Sequence, residues 1–183
     1  MRLRALGRII PIVLIAALGA CTTQPLGRNA TAAEALCALG YISIPLRTLA
    51  SGHHIVAGSI NGVPATFVVD SGAGRTVVHS PYVAQFFLDT SSGEQGTAIG
   101  AGGSTAVSAA PIRELMISTT RTSLERVYAM DLTHVVNALD SLAGDPIHGI
   151  VGQDVMQAQH AIIDVQEARL YLKPIEVERQ TFC

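Results

Sequence analysis

Apolar residues in this chain fall into short runs, some alternating and some nearly continuous, punctuated by Gly, Asn, Ser and Pro. The clearest signal is a pair of β-rich runs, His54 to Ile60 and Val63 to Val69, separated only by Asn61-Gly62. Asn-Gly between two such runs predicts a two-residue hairpin, because both turn positions need positive φ. The second arm, Ala65-Thr66-Phe67-Val68-Val69, runs straight into Asp70, which places a carboxylate at the end of a buried strand. Upstream, Tyr41-Ile42-Ser43-Ile44 predicts a first strand that follows a tether, with the folded unit beginning around His53.

Beyond Asp70 the pattern changes character. Ser80-Pro81 followed by Tyr82 to Leu88 predicts a short helix, with Ser80 as N-cap and Pro81 in the first position. The Gly/Ser-rich stretch from Ser91 to Ser104 contains Ile99-Gly100-Ala101-Gly102-Gly103 and reads as a mobile loop or hairpin tip. Strands are expected at Ile112–Ser118 and Leu124–Met130. Leu132, Val135, Val136, Leu139 and Leu142 stand at helical spacing and predict a core-facing helix. Ile150-Val151-Gly152 is an apolar run that ends in Gly, and Asp154 to Gln159 reads as a helical turn. Ala161–Val165 and Arg169–Leu172 read as paired strands across a short turn. No internal repeat and no second domain is visible. The reading is all-β, a single domain with one or two short helices, over residues 53–175 with a tail at 176–183.

Composition supports strands over helices. Hydrophobic residues make up 49% of the 183 and charged residues 14%, so the chain is apolar enough for a core. Val, Ile, Thr, Ser and Gly are plentiful, whereas Glu and Lys are scarce.

The first residues read as a targeting segment. Arg2, Arg4 and Arg8 form a basic region ahead of the apolar stretch Ile9 to Ala20, which is too short for the ~20 residues a membrane span needs. The stretch ends in Leu18-Gly19-Ala20-Cys21, which resembles a bacterial lipobox, although the place of Gly19 usually holds Ala, Ser or Thr. Cleavage before Cys21 would leave that cysteine to carry lipid. An ordinary secretory signal cleaved after Ala20 is the plainer alternative. On the lipobox reading, residues 1–20 are a lipoprotein signal and residues 21–52 a tether and first strand. The protein is then expected in the bacterial cell envelope, anchored to a membrane by lipid on Cys21 and facing the periplasm. Thr22 at the following position favours the outer membrane.

Removal of residues 1–20 takes away three of the 12 basic residues and leaves nine against 14 acids, a formal charge of −5. No Lys/Arg cluster remains, so nucleic acid is not an expected partner. Cys37 and Cys183 stand near the two ends of the mature chain. In an oxidising compartment they can pair, or they can remain idle thiols, and spacing alone does not choose.

Most enzyme signatures are missing. There is no G-x-S-x-G and no H-E-x-x-H, and the adjacent His53-His54 is a poor metal pair. Gly72-Ala73-Gly74-Arg75-Thr76 lacks the Lys and upstream Gly of a phosphate loop. No metal and no cofactor is therefore expected. What remains is Asp70-Ser71-Gly72-Ala73. An acid there needs hydrogen bonds or a shared proton, Gly72 permits a tight turn, and the Ser71 hydroxyl can brace nearby backbone.

The run Phe67-Val68-Val69-Asp70-Ser71-Gly72-Ala73-Gly74-Arg75-Thr76-Val77-Val78 resembles the active-site segment of retropepsin-like aspartic proteases. The Ile99–Gly103 stretch is similar in position to that family's flap, which assigns Ile99, Gly100, Gly102 and Gly103 to it. Ile150-Val151-Gly152 resembles the second signature, a segment that passes close to the active-site loop. The resemblance implies a closed-barrel-like, mostly β fold and an endopeptidase acting on peptides or proteins. Asp70 would be the catalytic carboxylate, with Ser71, Gly72 and Ala73 supporting its loop. The chemistry takes two carboxylates and the chain holds one Asp-Ser-Gly, so a homodimer with one Asp70 from each chain is implied. Asp131, Asp154 and Asp164 lack the Ser/Thr-Gly turn and read as caps or structural acids. Retroviral members commonly pair an acid at the place of Gly74 with an Arg at the place of Gln153. That ion pair is absent here. The reading from another class is a catalytically inactive, lipid-anchored β-barrel that binds or assembles in the envelope.

Overall fold

The computed structural model describes residues 31–100 and 103–175. Expectations placed on Cys21, Ala101, Gly102 and Cys183 lie outside the described residues. Thirteen strands run in order: β1 Ile42–Pro45, β2 Arg47–Thr48, β3 His54–Ile60, β4 Val63–Val69, β5 Val77–His79, β6 Gln95–Gly100, β7 Gly103–Pro111, β8 Leu115–Ile117, β9 Thr120–Arg121, β10 Arg126–Met130, β11 Gly149–Val151, β12 Ile162–Asp164 and β13 Arg169–Leu172. Among the described residues three α-helices join these strands: α1 Ala32–Ala38, α2 Thr133–Ala143 and α3 Gln153–Ala158. The class is all-β.

Ten strands form one sheet in the order β6-β7-β10-β5-β11-β4-β3-β8-β9, with β2 paired to β3 off that path. A smaller sheet, β1-β13-β12, is antiparallel throughout. The expected barrel is not closed: among the described residues no pairing joins β9 back to β6. Closure needs end strands of matched length and register, and β9 has two residues where β6 has six.

The Asn61-Gly62 hairpin forms as the sequence predicts. Ile60 faces Val63 across the turn, and Asn61 and Gly62 take φ of 52° and 85°. The Asn61 side chain then ties three segments together. Its Nδ2 donates to the Phe86 carbonyl at 2.8 Å, and its Oδ1 accepts from the Arg113 amide at 2.8 Å.

The central strands are apolar on both faces because both faces are buried. Val56, Phe67, Val78 and Val151 point into one cluster, together with Phe86, Leu115, Ile117 and Leu170. Their strand neighbours Ile55, Val68, Val77 and Ile150 point into a second cluster, roofed by α2 through Val136, Leu139 and Ala143. The period of two along each strand thus feeds two cores at once. Helix α2 forms where the spacing predicts, but Val135 and Leu142 remain 40% and 44% exposed. They lie at the flanks of its buried stripe.

Other expectations shift. The segment after Ser80 forms only a 3-10 turn over Ser80–Tyr82, with Pro81 in its first positions and no side-chain cap. The residues before His53 do more than tether. α1 begins at a Thr31–Glu34 capping box, and Ile44, Leu46 and Leu49 are all buried. Cys37 is disulfide-bonded, so it is not an idle thiol.

His148 lies just before β11 and joins it to β4. Its Nδ1 accepts from the Thr66 amide at 3.1 Å, and its ring packs on Tyr82 and Phe86 at 4.6 and 5.5 Å. Burial holds this imidazole below its ordinary value, against the opposing charge of Asp140. The neutral ring is thus the native form. Stability from His148 is whole above the unfolded value near 6.5, and it is lost as pH falls below that because the unfolded chain takes the proton first. Wild type should therefore lose melting temperature between pH 7 and 5 more steeply than His148→Asn, whose oxygen replaces the Nδ1 acceptor. Parallel pH profiles for the two proteins would show that this ring does not carry the effect.

Candidate active site

Strand β4 delivers Asp70, and β11 lies parallel beside it with Val151 opposite Val69. The ladder continues one step into the loop, since the Asp70 amide donates to the Val151 carbonyl at 3.1 Å. The chain then turns back on itself. The Gly72 amide donates to Asp70 Oδ1 at 2.8 Å, and the Ala73 amide to the Asp70 carbonyl at 3.2 Å. One hydrogen bond from the loop's own backbone therefore orients the carboxylate, and two more fix the Asp70 main chain.

The strand that carries Asp70 is buried, but the acid itself is not. Asp70, Ser71 and Gly72 are exposed and Ala73 is half-buried. The expectation of a buried acid is corrected for the single chain, because β4 ends at the surface and the loop projects beyond the core. Asp70 joins no ion pair among the described residues.

A clamp that sequence reasoning did not identify fixes the loop from behind. Thr76 is fully buried. Its hydroxyl donates to Asp154 Oδ1 at 2.6 Å and accepts from the Gly152 amide at 3.1 Å. Its amide donates to Asp154 Oδ2 at 2.9 Å. Asp154 also accepts from the Val155 amide at 2.9 Å, in keeping with its reading as a structural acid. Gln153 adds two more bonds, from its amide to the Ala73 carbonyl and from Nε2 to the Ser71 carbonyl, both at 2.8 Å. The side chain that braces the loop from position 153 is thus a neutral amide. The only sequence signal was the Gly152-Gln153-Asp154 run that follows an apolar pair.

Gly152 stands where the two segments nearly touch. A Cβ there would lie 2.5 Å from the Arg75 carbonyl carbon and oxygen and 2.8 Å from the Ala73 oxygen. Ile150, Val151 and Gly152 are thus brought against the Asp70 loop. Ile99, Gly100 and Gly103 lie at the turn end of the β6–β7 hairpin, where Gly100 pairs with Gly103 and Ile99 is 88% exposed. Four strands separate that hairpin's outer arm from β4 in the sheet order. Among the described residues no cluster of three His, Cys, Asp or Glu is placed to hold a metal ion.

A rigidly presented carboxylate on an Asp-Ser-Gly turn, backed by an apolar-Gly segment, defines the class. Residues 56–155 match the family model described as aspartyl protease, which is more than half of the 183-residue chain. The chain belongs to the aspartyl protease family. No curated protein matches its sequence. Among solved structures, a retropepsin-like aspartic protease from Rickettsia conorii is 17% identical, with a TM-score of 0.51 over 73% of this chain and 98% of its own. That likeness shows a retropepsin-like fold. The retroviral protease-like domain of Ddi1 from Leishmania major is also 17% identical, with a TM-score of 0.47 over 70% of this chain and 91% of its own. The EIAV protease complexed with the inhibitor HBY-793 gives 17% and 0.41 over 56% and 84%. These looser likenesses carry no part of the reading.

The clamp makes a stability prediction. Thr76→Val leaves the buried Gly152 amide without its partner and takes one of two hydrogen bonds from Asp154 Oδ1, at a cost of about 1–3 kcal/mol. Ser71→Ala, at an exposed position, should stay within about 0.5 kcal/mol of wild type. Urea unfolding of the two variants reads the difference, and equal midpoints would show that Thr76 does not hold the loop.

Proposed function

We propose that this protein is an aspartic endopeptidase whose site is completed by Asp70 of a second copy. The observation that carries the reading is the pairing of rigidity with incompleteness. Asp70 is fixed by the Gly72 amide on a clamped loop, yet it faces solvent with no second acid bonded to it among the described residues. A second Asp70 across a two-fold axis would supply the missing acid and exclude water from both.

The chemistry then needs no covalent intermediate. Two carboxylates held close share one proton, because both cannot ionise readily. The ionised member takes a proton from water as the water oxygen bonds to the peptide carbonyl carbon. The protonated member gives its proton to the carbonyl oxygen. As the resulting diol collapses, the first carboxyl gives its proton to the nitrogen, the second takes one from a diol hydroxyl, and the carbon–nitrogen bond breaks. Every group returns to its starting state. The β6–β7 hairpin, with Ile99, Gly100, Gly102 and Gly103, serves as the flap over an extended peptide. Lipid on Cys21 holds the protein at the envelope, where confinement raises the effective concentration of the second copy.

One experiment with three proteins tests this reading: a peptide-library digest and membrane fractionation of wild type, Asp70→Asn and Cys21→Ser. Wild type should cleave and fractionate with membrane. Asp70→Asn should lose cleavage by at least about 100-fold, the scale of a positioned acid–base group. Cys21→Ser should move to the soluble fraction. Cleavage that persists in Asp70→Asn sinks the proteolytic reading, and Cys21→Ser that stays in the membrane sinks the anchor alone.

A further inference from the structure

Between Asp70 and Thr76 the loop carries one charged side chain, Arg75, since Ser71, Gly72, Ala73 and Gly74 are uncharged. Arg75 is exposed, and its guanidinium carbon stands 5.9 Å from the centre of the half-buried Tyr128 ring on β10. A guanidinium over an aromatic face is restrained in its plane while its N–H edge stays free to donate. Arg75 and Tyr128 line a cleft of about 330 Å³ that also reaches Glu125, Arg126 and Asp154.

The charges around that cleft are not equally available. Asp154 has both oxygens engaged by Thr76. Arg126 has Glu94 at 4.0 Å. Arg75 has no carboxylate within ion-pair distance among the described residues. Glu125 is exposed and, with the half-buried Asp154, is a like charge that an incoming acid would meet.

We propose that Arg75 is a specificity-determining residue that receives an acidic side chain, Glu or Asp, of the bound peptide. The proposal rests on the proteolytic reading above and adds a substrate class to it. Arg75 lies five residues from Asp70, a reach of at most about 18 Å of extended chain. The acid recognised therefore sits within about five residues of the scissile bond. Two-fold symmetry repeats the cleft, so the preference applies on both sides of that bond.

The test uses a peptide that wild type cleaves, remade with Glu or Gln at each position out to five residues from the cut. At one position on each side, Glu should raise kcat/KM about five- to ten-fold over Gln, chiefly through KM. The gain should shrink in 0.5 M salt, as for a partly exposed pair. Arg75→Gln should bring the Glu/Gln ratio to one, Arg75→Lys should keep part of it, and Glu125→Gln should increase it. Cleavage by wild type without any Glu preference, or a preference that survives Arg75→Gln, overturns the subsite alone. Absence of cleavage of every peptide by wild type overturns the proteolytic reading and the subsite with it.

Discussion

The hydrogen bonds that tie Thr76 to Asp154 and Gly152 are the constraint on which the candidate site depends. They join two segments separated by 76 and 78 positions in sequence. Between them lies most of the large sheet, so the loop's conformation depends on the native pairing of β5 with β11. The buried hydroxyl and the half-buried carboxylate would be costly unpaired. Here each satisfies the other, and the clamp braces the turn from Thr76, Gly152 and Asp154 while the Gly72 amide holds Asp70 itself. Gly152 is the steric counterpart of this arrangement. Its missing side chain lets the α3 entrance approach the Arg75 backbone closely enough for the bonds to form.

Rigidity at the loop is supported from both faces of the sheet. Adjacent residues on β3, β4, β5 and β11 alternate between two apolar clusters. Sliding any one strand by one position would exchange its contacts with both cores. α2 supplies the second cover, and its ends are anchored: the Leu132 amide donates to the buried His79 Nδ1 at 3.0 Å, and Arg47 donates to the Ala143 carbonyl at 2.6 Å. The carboxylate thus stands at the rim of a doubly packed sheet. Such a scaffold suits a group that must hold its direction while exposed.

Local chemistry was legible in the sequence where it decides local structure. Asn61-Gly62 determined its turn, and the paired runs at the C-terminal end became β12 and β13, because these choices depend on φ preference and alternation. The Asp70 loop and its apolar-Gly partner were legible as a family resemblance. The clamp was not, because a Thr and an Asp 78 positions apart show no pattern until the fold brings them together. The 3-10 turn at Ser80 and the open sheet also escaped. Helical propensity there is overridden by packing of Phe86 and Leu88 in the core, and closure depends on the lengths of β6 and β9. The exposure of Asp70 was misjudged because a strand's burial says nothing of the residue just past its end.

The central claim is that one chain holds half of a two-carboxylate site. The most direct measurement mixes wild-type protein with a large excess of Asp70→Asn protein, allows subunits to exchange, and follows peptide cleavage as the mutant fraction rises. Isotope-labelled subunits confirm that mixed dimers have formed. If each site takes one Asp70 from each chain, activity per wild-type chain should fall toward zero as wild-type subunits become trapped in mixed dimers. Full activity per wild-type chain, with mixing demonstrated, would show that each chain carries its own second acid and would contradict the account.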